Sequence, residues 1–185
     1  MISSKRVAFD SVPGSEDLFT PEFTEYLAAL YDRFAPVIQT LRLKRAEVLV
    51  RALSKGQLPS HLPESEINTG GWQVPPVPED LKQPGIEITG PASITNMFIN
   101  ALNPGPGGIR AEGDLDDDED AAGHRFVDTV TAARNRVHAA EGTLEYFDHL
   151  REREYKVAPG KIPFFMHRER GIHLDEPDVT IDGHP

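Results

Sequence analysis

The residues best placed to do chemistry are two arginines, Arg168 and Arg170, at the end of a short apolar run. Lys161-Ile162-Pro163-Phe164-Phe165-Met166-His167 is of strand length and is entered through Pro159-Gly160. The arginine closing such a strand stands where its carboxyl edge opens, the place where barrel enzymes collect their catalytic groups. A guanidinium there is a planar fork for a carboxylate or an oxyanion. The plain alternative is a salt bridge, which needs no ligand at all. Arg170 points to the same side of an extended strand and is the rival for the role.

The second candidate is acidic. Seven carboxylates fall between Glu112 and Asp120 in Ala111-Glu112-Gly113-Asp114-Leu115-Asp116-Asp117-Asp118-Glu119-Asp120. One reading is a solvated loop kept extended by its own repulsion. A calcium loop is a second, since Asp114, Asp116 and Asp118 fit its first three ligand positions. It fails because the sixth position is Glu119 where glycine is needed and the twelfth is Arg125 where a bidentate glutamate is needed. The third places the run at the carboxyl end of a barrel strand. His124, His138 and His149 lack the i, i+4 spacing of a helical metal pair, and the absence of cysteine removes thiolate ligands and nucleophiles.

The elements that must position these groups begin with Ile86 to Gly105. A β-branched run ends in Thr89-Gly90-Pro91, a helical spacing of Ile94, Met97, Phe98, Ala101 and Leu102 follows, and Asn103-Pro104-Gly105 stops it. Strand, turn and helix in that order open a β/α unit. Upstream, residues 1–19 read as a flexible arm. Thr20-Pro21 caps an amphipathic helix through Phe23, Leu27, Leu30 and Phe34. Pro36 is expected to break or restart it, giving a helix pair or a kinked long helix that ends at Gly56. Residues 58–84 form a proline-rich connector in which Trp72 reads as a packing anchor. A helix is expected over 128–150, and Asp178 to Asp182 reads as a short strand. The domain division is therefore 1–19, 20–84 and 85–185. The 185 residues carry a net charge of -11, which argues against nucleic acid or an anionic membrane as partner. No apolar run approaches a membrane span, so a cytoplasmic protein is expected.

Several of these segments resemble one family. Ile86-Glu87-Ile88-Thr89-Gly90-Pro91 with Met97-Phe98-Ile99-Asn100-Ala101-Leu102-Asn103 is similar to the V-E-I-T-G-P … M-V-I-N-A-L-N of malate synthases. Arg168-Glu169-Arg170-Gly171-Ile172-His173-Leu174 resembles their R-P-R-G-W-H-L, with Glu for Pro and Ile for Trp. The resemblance runs from about residue 20 to 185. It implies an α/β fold: an N-terminal helical segment, then the first strands and helices of a TIM (β/α)8 barrel beginning near Ile86. Such a barrel needs about 250 residues, so the one expected here is incomplete. It implies condensation of acetyl-CoA with glyoxylate to malate and CoA, with Arg168 as the catalytic arginine. Glu112 and Asp114 are implied as acids near magnesium, by laying the family's A-D-F-E-D on Ala111-Glu112-Gly113-Asp114. The magnesium ligands themselves and the general base are implied to lie in downstream segments, which makes a fragment inactive alone and a complementary C-terminal fragment its partner. A non-catalytic binding or scaffold module derived from the family is the alternative.

Overall fold

The computed structural model describes residues 2–3, 6–58, 60–82 and 85–185. In chain order these form β1 (Ile2–Ser3), β2 (Val7–Phe9), α1 (Pro21–Lys55), α2 (Glu66–Thr69), β3 (Glu87–Gly90), α3 (Thr95–Leu102), β4 (Gly113–Asp117), α4 (Phe126–Glu141), β5 (Glu145–Asp148), β6 (Arg153–Lys156), β7 (Phe164–Arg168) and β8 (Val179–Ile181). The protein is thus mixed α/β with a long N-terminal helix and a parallel sheet. It divides into two compact units, Met1–Thr24 with Val77–Pro185, and Glu25–Pro76.

The first unit is built on the parallel sheet β3-β4-β7, with β4 in the middle. The crossover from β3 to β4 runs through α3, and that from β4 to β7 through α4 and the antiparallel hairpin β5-β6. Ala92, Phe98, Ile99, Leu102, Ala132, Ala139, Leu144 and Tyr155 form the core between α3, α4 and the hairpin. Phe98 of α3 meets Phe165 of β7 edge to face, with centroids 6.2 Å apart, and so ties the helix layer to the sheet.

Part of the segment expected as a flexible arm is held in a second sheet. β2 pairs antiparallel with β8, Val7 opposite Ile181 and Phe9 opposite Val179. Val-Ala-Phe alternates, so Val7 and Phe9 turn inward together and both are buried. Phe9 stacks on Phe19 at 4.2 Å and lies 6.3 Å from Phe126, which supplies the apolar contact an arm would lack.

α4 is also shorter than expected. Gly142 adopts φ 71° and its N–H closes on Ala139 and His138, a left-handed helix stop that only glycine reaches cheaply. Beyond it the β-favouring Tyr146 and Phe147 enter the hairpin, where a helix to residue 150 was expected. In α1, the Thr20 hydroxyl accepts the Phe23 N–H at 3.2 Å, as the cap predicts. Pro36 does not break the helix. A proline removes one N–H from the ladder, and nineteen helical residues follow it to Lys55, enough to carry the axis onward.

In the second unit, Ser65 and Asn68 close a capping box over α2. Trp72, expected as an anchor on a neighbour, donates its indole N–H to Ile67 O at 2.6 Å within its own connector, and the residue is 65% exposed. Among the described residues no helix is long and apolar enough to cross a membrane.

Candidate functional site

Register decides which side chains meet. In a parallel pair, residues side by side emerge on the same face, and faces alternate along each strand. Asp114 pairs with Phe165, Asp116 with His167, Leu115 with Met166 and Asp117 with Arg168. One face of the sheet therefore presents Asp114, Asp116, Phe165 and His167, and it is covered by α3 and α4. The opposite face presents Leu115, Asp117, Met166 and Arg168.

On this second face, at the carboxyl ends of the strands, Arg168 is held in a fork. Its Nε donates to Asp117 Oδ1 at 2.9 Å and its Nη2 to Asp117 Oδ2 at 2.5 Å. The same Nη2 reaches Asp120 Oδ2 at 2.5 Å. Asp117 Oδ1 further accepts the N–H groups of Glu119 and Asp120, at 2.9 and 3.1 Å. The Asp117 side chain is 3% exposed, Arg168 41% and Asp120 74%, so a buried carboxylate holds the root of a half-open guanidinium. The Arg168 hydrogen bond, aided by the two backbone N–H groups, keeps the Asp117 carboxyl down at about 2. Asp117 first, then Asp120, raise the Arg168 pKa in turn.

The helix-covered face carries a different constellation. Asp116, whose side chain is fully buried, accepts Ala92 N–H on Oδ1 at 2.9 Å. Its Oδ2 faces Arg136 Nη1 at 2.5 Å and His167 Nδ1 at 3.1 Å. Arg136 Nη1 also reaches Asp118 Oδ2 at 3.1 Å. Asn135, one residue earlier on α4, anchors the helix by donating to Ala92 O at 2.7 Å. Asp114 is 1% exposed with neither carboxylate oxygen hydrogen-bonded. Burial, and then the negative charge of Asp116, push its carboxyl up to about 6. Burial also raises Asp118, against the pull of Arg136. Asp116, Asp118 and His167 could hold a metal ion, each offering one ligand atom within 4.8 Å of the others.

The sequence-predicted residues are thus dispersed. Arg168 stands at the strand end where it was expected. Glu112 lies before β4, at the opposite end of the strand, where its Oε2 accepts Ile86 N–H at 2.7 Å. Asp114 is on the helix-covered face, turned from Arg168. Arg170 lies beyond the end of β7 and pairs with Glu176. Asp116 and Asp117 lay inside the acidic run without being singled out, and sequence reasoning missed His167 and Arg136. A signal for the acids was present: the pattern A-D-F-E-D, laid two residues further on, matches Gly113-Asp114-Leu115-Asp116-Asp117 with an acid at each acidic position and an apolar residue between. Nothing in the spacing of α4 singles out Arg136.

No protein-family model matches the chain. Curated relatives do match it. A malate synthase of Myxococcus xanthus is 36% identical over 174 residues, 94% of this chain and 30% of its own length. A malate synthase of Oryza sativa is 33% identical, over 91% of this chain and 29% of its own length. A glyoxysomal malate synthase of Gossypium hirsutum is 32% identical, over 99% and 33%. The chain is therefore a homologue of the malate synthases along nearly all of its own length, and it spans about 30% of theirs.

Proposed function

We propose that this chain is the amino-terminal part of a malate synthase-like enzyme that condenses acetyl-CoA with glyoxylate and releases malate and CoA. The observation that carries the reading is Arg168. It closes β7 inside the Arg168-to-Leu174 motif, at the carboxyl end of a parallel strand, with its guanidinium half-open. Asp117 fixes the Nε/Nη2 edge and so sets the plane of the fork. Asp120, exposed and sharing Nη2, is the partner that an incoming carboxylate displaces. The Nη1 corner, which neither aspartate uses, then completes a fork toward the glyoxylate carboxylate or aldehyde oxygen. The same charge stabilises the enolate formed when the acetyl methyl group loses a proton. The base that takes this proton belongs, on this reading, to the remaining length of the protein.

The parallel order β3-β4-β7 with helical crossovers supports reading these strands as the first three of a (β/α)8 barrel. β3 and β7 are then the edges on which a complementary C-terminal polypeptide would pair. Magnesium is the metal that goes with this family reading. It asks for an octahedral shell of oxygens, whereas Asp116, Asp118 and His167 offer two carboxylates and an imidazole around a guanidinium, so they do not fit it. A cytoplasmic location accompanies the proposal.

The test is complementation. The chain is combined with a polypeptide covering the rest of the Myxococcus relative, and CoA release is followed with both substrates and magnesium present. Release is expected only from the combination, and Arg168→Lys should abolish it. Release by the chain alone, or a combination in which Arg170→Lys is fatal and Arg168→Lys harmless, would overturn the assignment. So would a verified complex without turnover.

A further inference from the structure

We infer that Asp116, Asp118 and His167 form a site for one divalent cation of the manganese or zinc type, and that Arg136 is its built-in competitor. The site lies on the helix-covered face of the sheet, opposite Arg168, so it does not rest on the reading of Arg168 given above.

Three observations carry this. The ligand atoms converge: His167 Nδ1 is 3.1 Å and Arg136 Nη1 2.5 Å from the same Asp116 oxygen, and His167 Nε2 is 3.8 Å from Asp118 Oδ2. The centre is then held by a poor substitute for a metal. Arg136 Nη1 carries two hydrogens but faces three groups, Asp116 Oδ2, Asp118 Oδ2 and His167 Nδ1, the last two at 3.1 Å each. Its two hydrogens serve Asp116 and Asp118, while His167 Nδ1 meets the same Asp116 oxygen at 3.1 Å; a divalent ion at this centre would take all three groups as ligands. Finally, carboxylate oxygens on this face of the sheet stand unpaired. Asp118 Oδ1 is buried without a partner, and Asp114 has both oxygens unpaired, on the same face of β4 as Asp116 and next to it. Buried acceptors left without a donor or cation are costly, and one monovalent guanidinium does not balance this many acids.

The donor set names the class of ion. Two carboxylates and one neutral imidazole suit manganese, zinc and their neighbours better than an all-oxygen cation. A bound ion would displace Arg136 Nη1 from Asp116. The Arg136 side chain, 17% exposed, lies near enough to the surface to swing outward.

The test uses the 185-residue chain stripped with chelator and titrated with Mn2+, free Mn2+ being read by its solution EPR signal. One site is expected, displaced by Zn2+ and resisting a large excess of Mg2+. His167→Gln, at a partly exposed side chain, and Asp118→Asn should each weaken it about tenfold or more. Arg136→Met keeps the aliphatic stem and removes the competitor, so it should tighten binding. Circular dichroism of each variant confirms the fold, and His167→Gln decides the outcome if Asp118→Asn unfolds. Absence of binding in both the parent and Arg136→Met would overturn the site. Binding that ignores His167→Gln would place the ion elsewhere on this acidic surface, and binding weakened by Arg136→Met would refute the competition.

Discussion

The two faces of the β3-β4-β7 sheet use the same residue types to opposite ends. On the helix-covered face, Asp116 is wholly buried, and the groups around it hold the crossover α4 and the Ala92 turn in place. On the opposite face, Asp117 is buried too, but its arginine is 41% exposed and shared with an exposed aspartate. A largely buried charge network works as structure, because removing a member strands the others. A network closed at one end and open at the other holds a cation in a fixed pose with a replaceable partner. Alternating acids along one strand, Asp114, Asp116 and Asp118 against Asp117, produce both.

The largest effect should come from the closed face. Asp116→Ala leaves Arg136 without its nearest acceptor and Ala92 N–H without one, so it should cost about 3–5 kcal/mol of stability. Urea unfolding of the variant against the parent measures this. A loss under 1 kcal/mol would mean that the helix-covered face is no more structural than the other.

Arg168→Lys is the matching substitution on the open face. It keeps the charge, loses the planar fork, and should leave the melting midpoint of the chain almost unchanged. In the complemented protein it should lower turnover about a hundredfold or more. If the two substitutions exchange effects, with Asp116→Ala mild and Arg168→Lys unfolding the chain, the contrast between the faces is wrong.

This contrast was only half legible in the sequence. Ile86 to Leu102 announced its strand and helix, because β-branched and helical periodicities follow each other with glycine and proline between. Arg168 was legible because an apolar strand ends on it. β4 was not, since four of its five residues are glycine or aspartate, which strands disfavour. It is a strand because β3 and β7 pair with it on both sides, a tertiary cause that no local pattern records. His167 was hidden by its place at the end of an apolar run, and Arg136 by its place on a helix with many charges. Strand pairing brings His167 beside Asp116, 51 residues away, and the packing of α4 brings Arg136 to both.

A third substitution probes the unpaired acid of the closed face. Burial raises the Asp114 pKa from 3.8 to about 6, so its protonated form is favoured by folding. Its contribution is fully present below pH 3.8 and is lost as the pH rises through about 6. In chelator, Asp114→Asn should therefore match the parent near pH 4 and exceed it at pH 8 by about 1–2 kcal/mol, a figure reduced for screening by water. Paired urea titrations at the two pH values check this. A variant less stable than the parent at pH 8 would mean that the ionised carboxylate has a partner.

The smallest effect serves as the control for Asp117. Asp148 closes the β5-β6 hairpin with the same local geometry: Oδ1 accepts the N–H groups two and three residues on, at 3.0 and 3.1 Å, and Oδ2 meets an arginine, Arg151, at 2.8 Å. Here the arginine is local and 66% exposed, whereas Arg168 comes from another strand. Asp148→Asn and Asp117→Asn both keep a carbonyl oxygen for the two N–H groups and remove the charge. The first should barely move the melting midpoint, and the second should lower it measurably, because only Asp117 ties two strands together. Each carboxyl is held below its usual value, Asp148 by Arg151 first and Asp117 by Arg168 first, down to about 2. The stability each charge contributes is present above the usual carboxylate value and lost on acidification through the lowered one. The parent-to-variant gap of Asp117→Asn should therefore close between about pH 4 and pH 2. A gap of equal size for both variants, with the same pH dependence, would show that Arg168 adds nothing to the turn and that its fork is an ordinary surface pair.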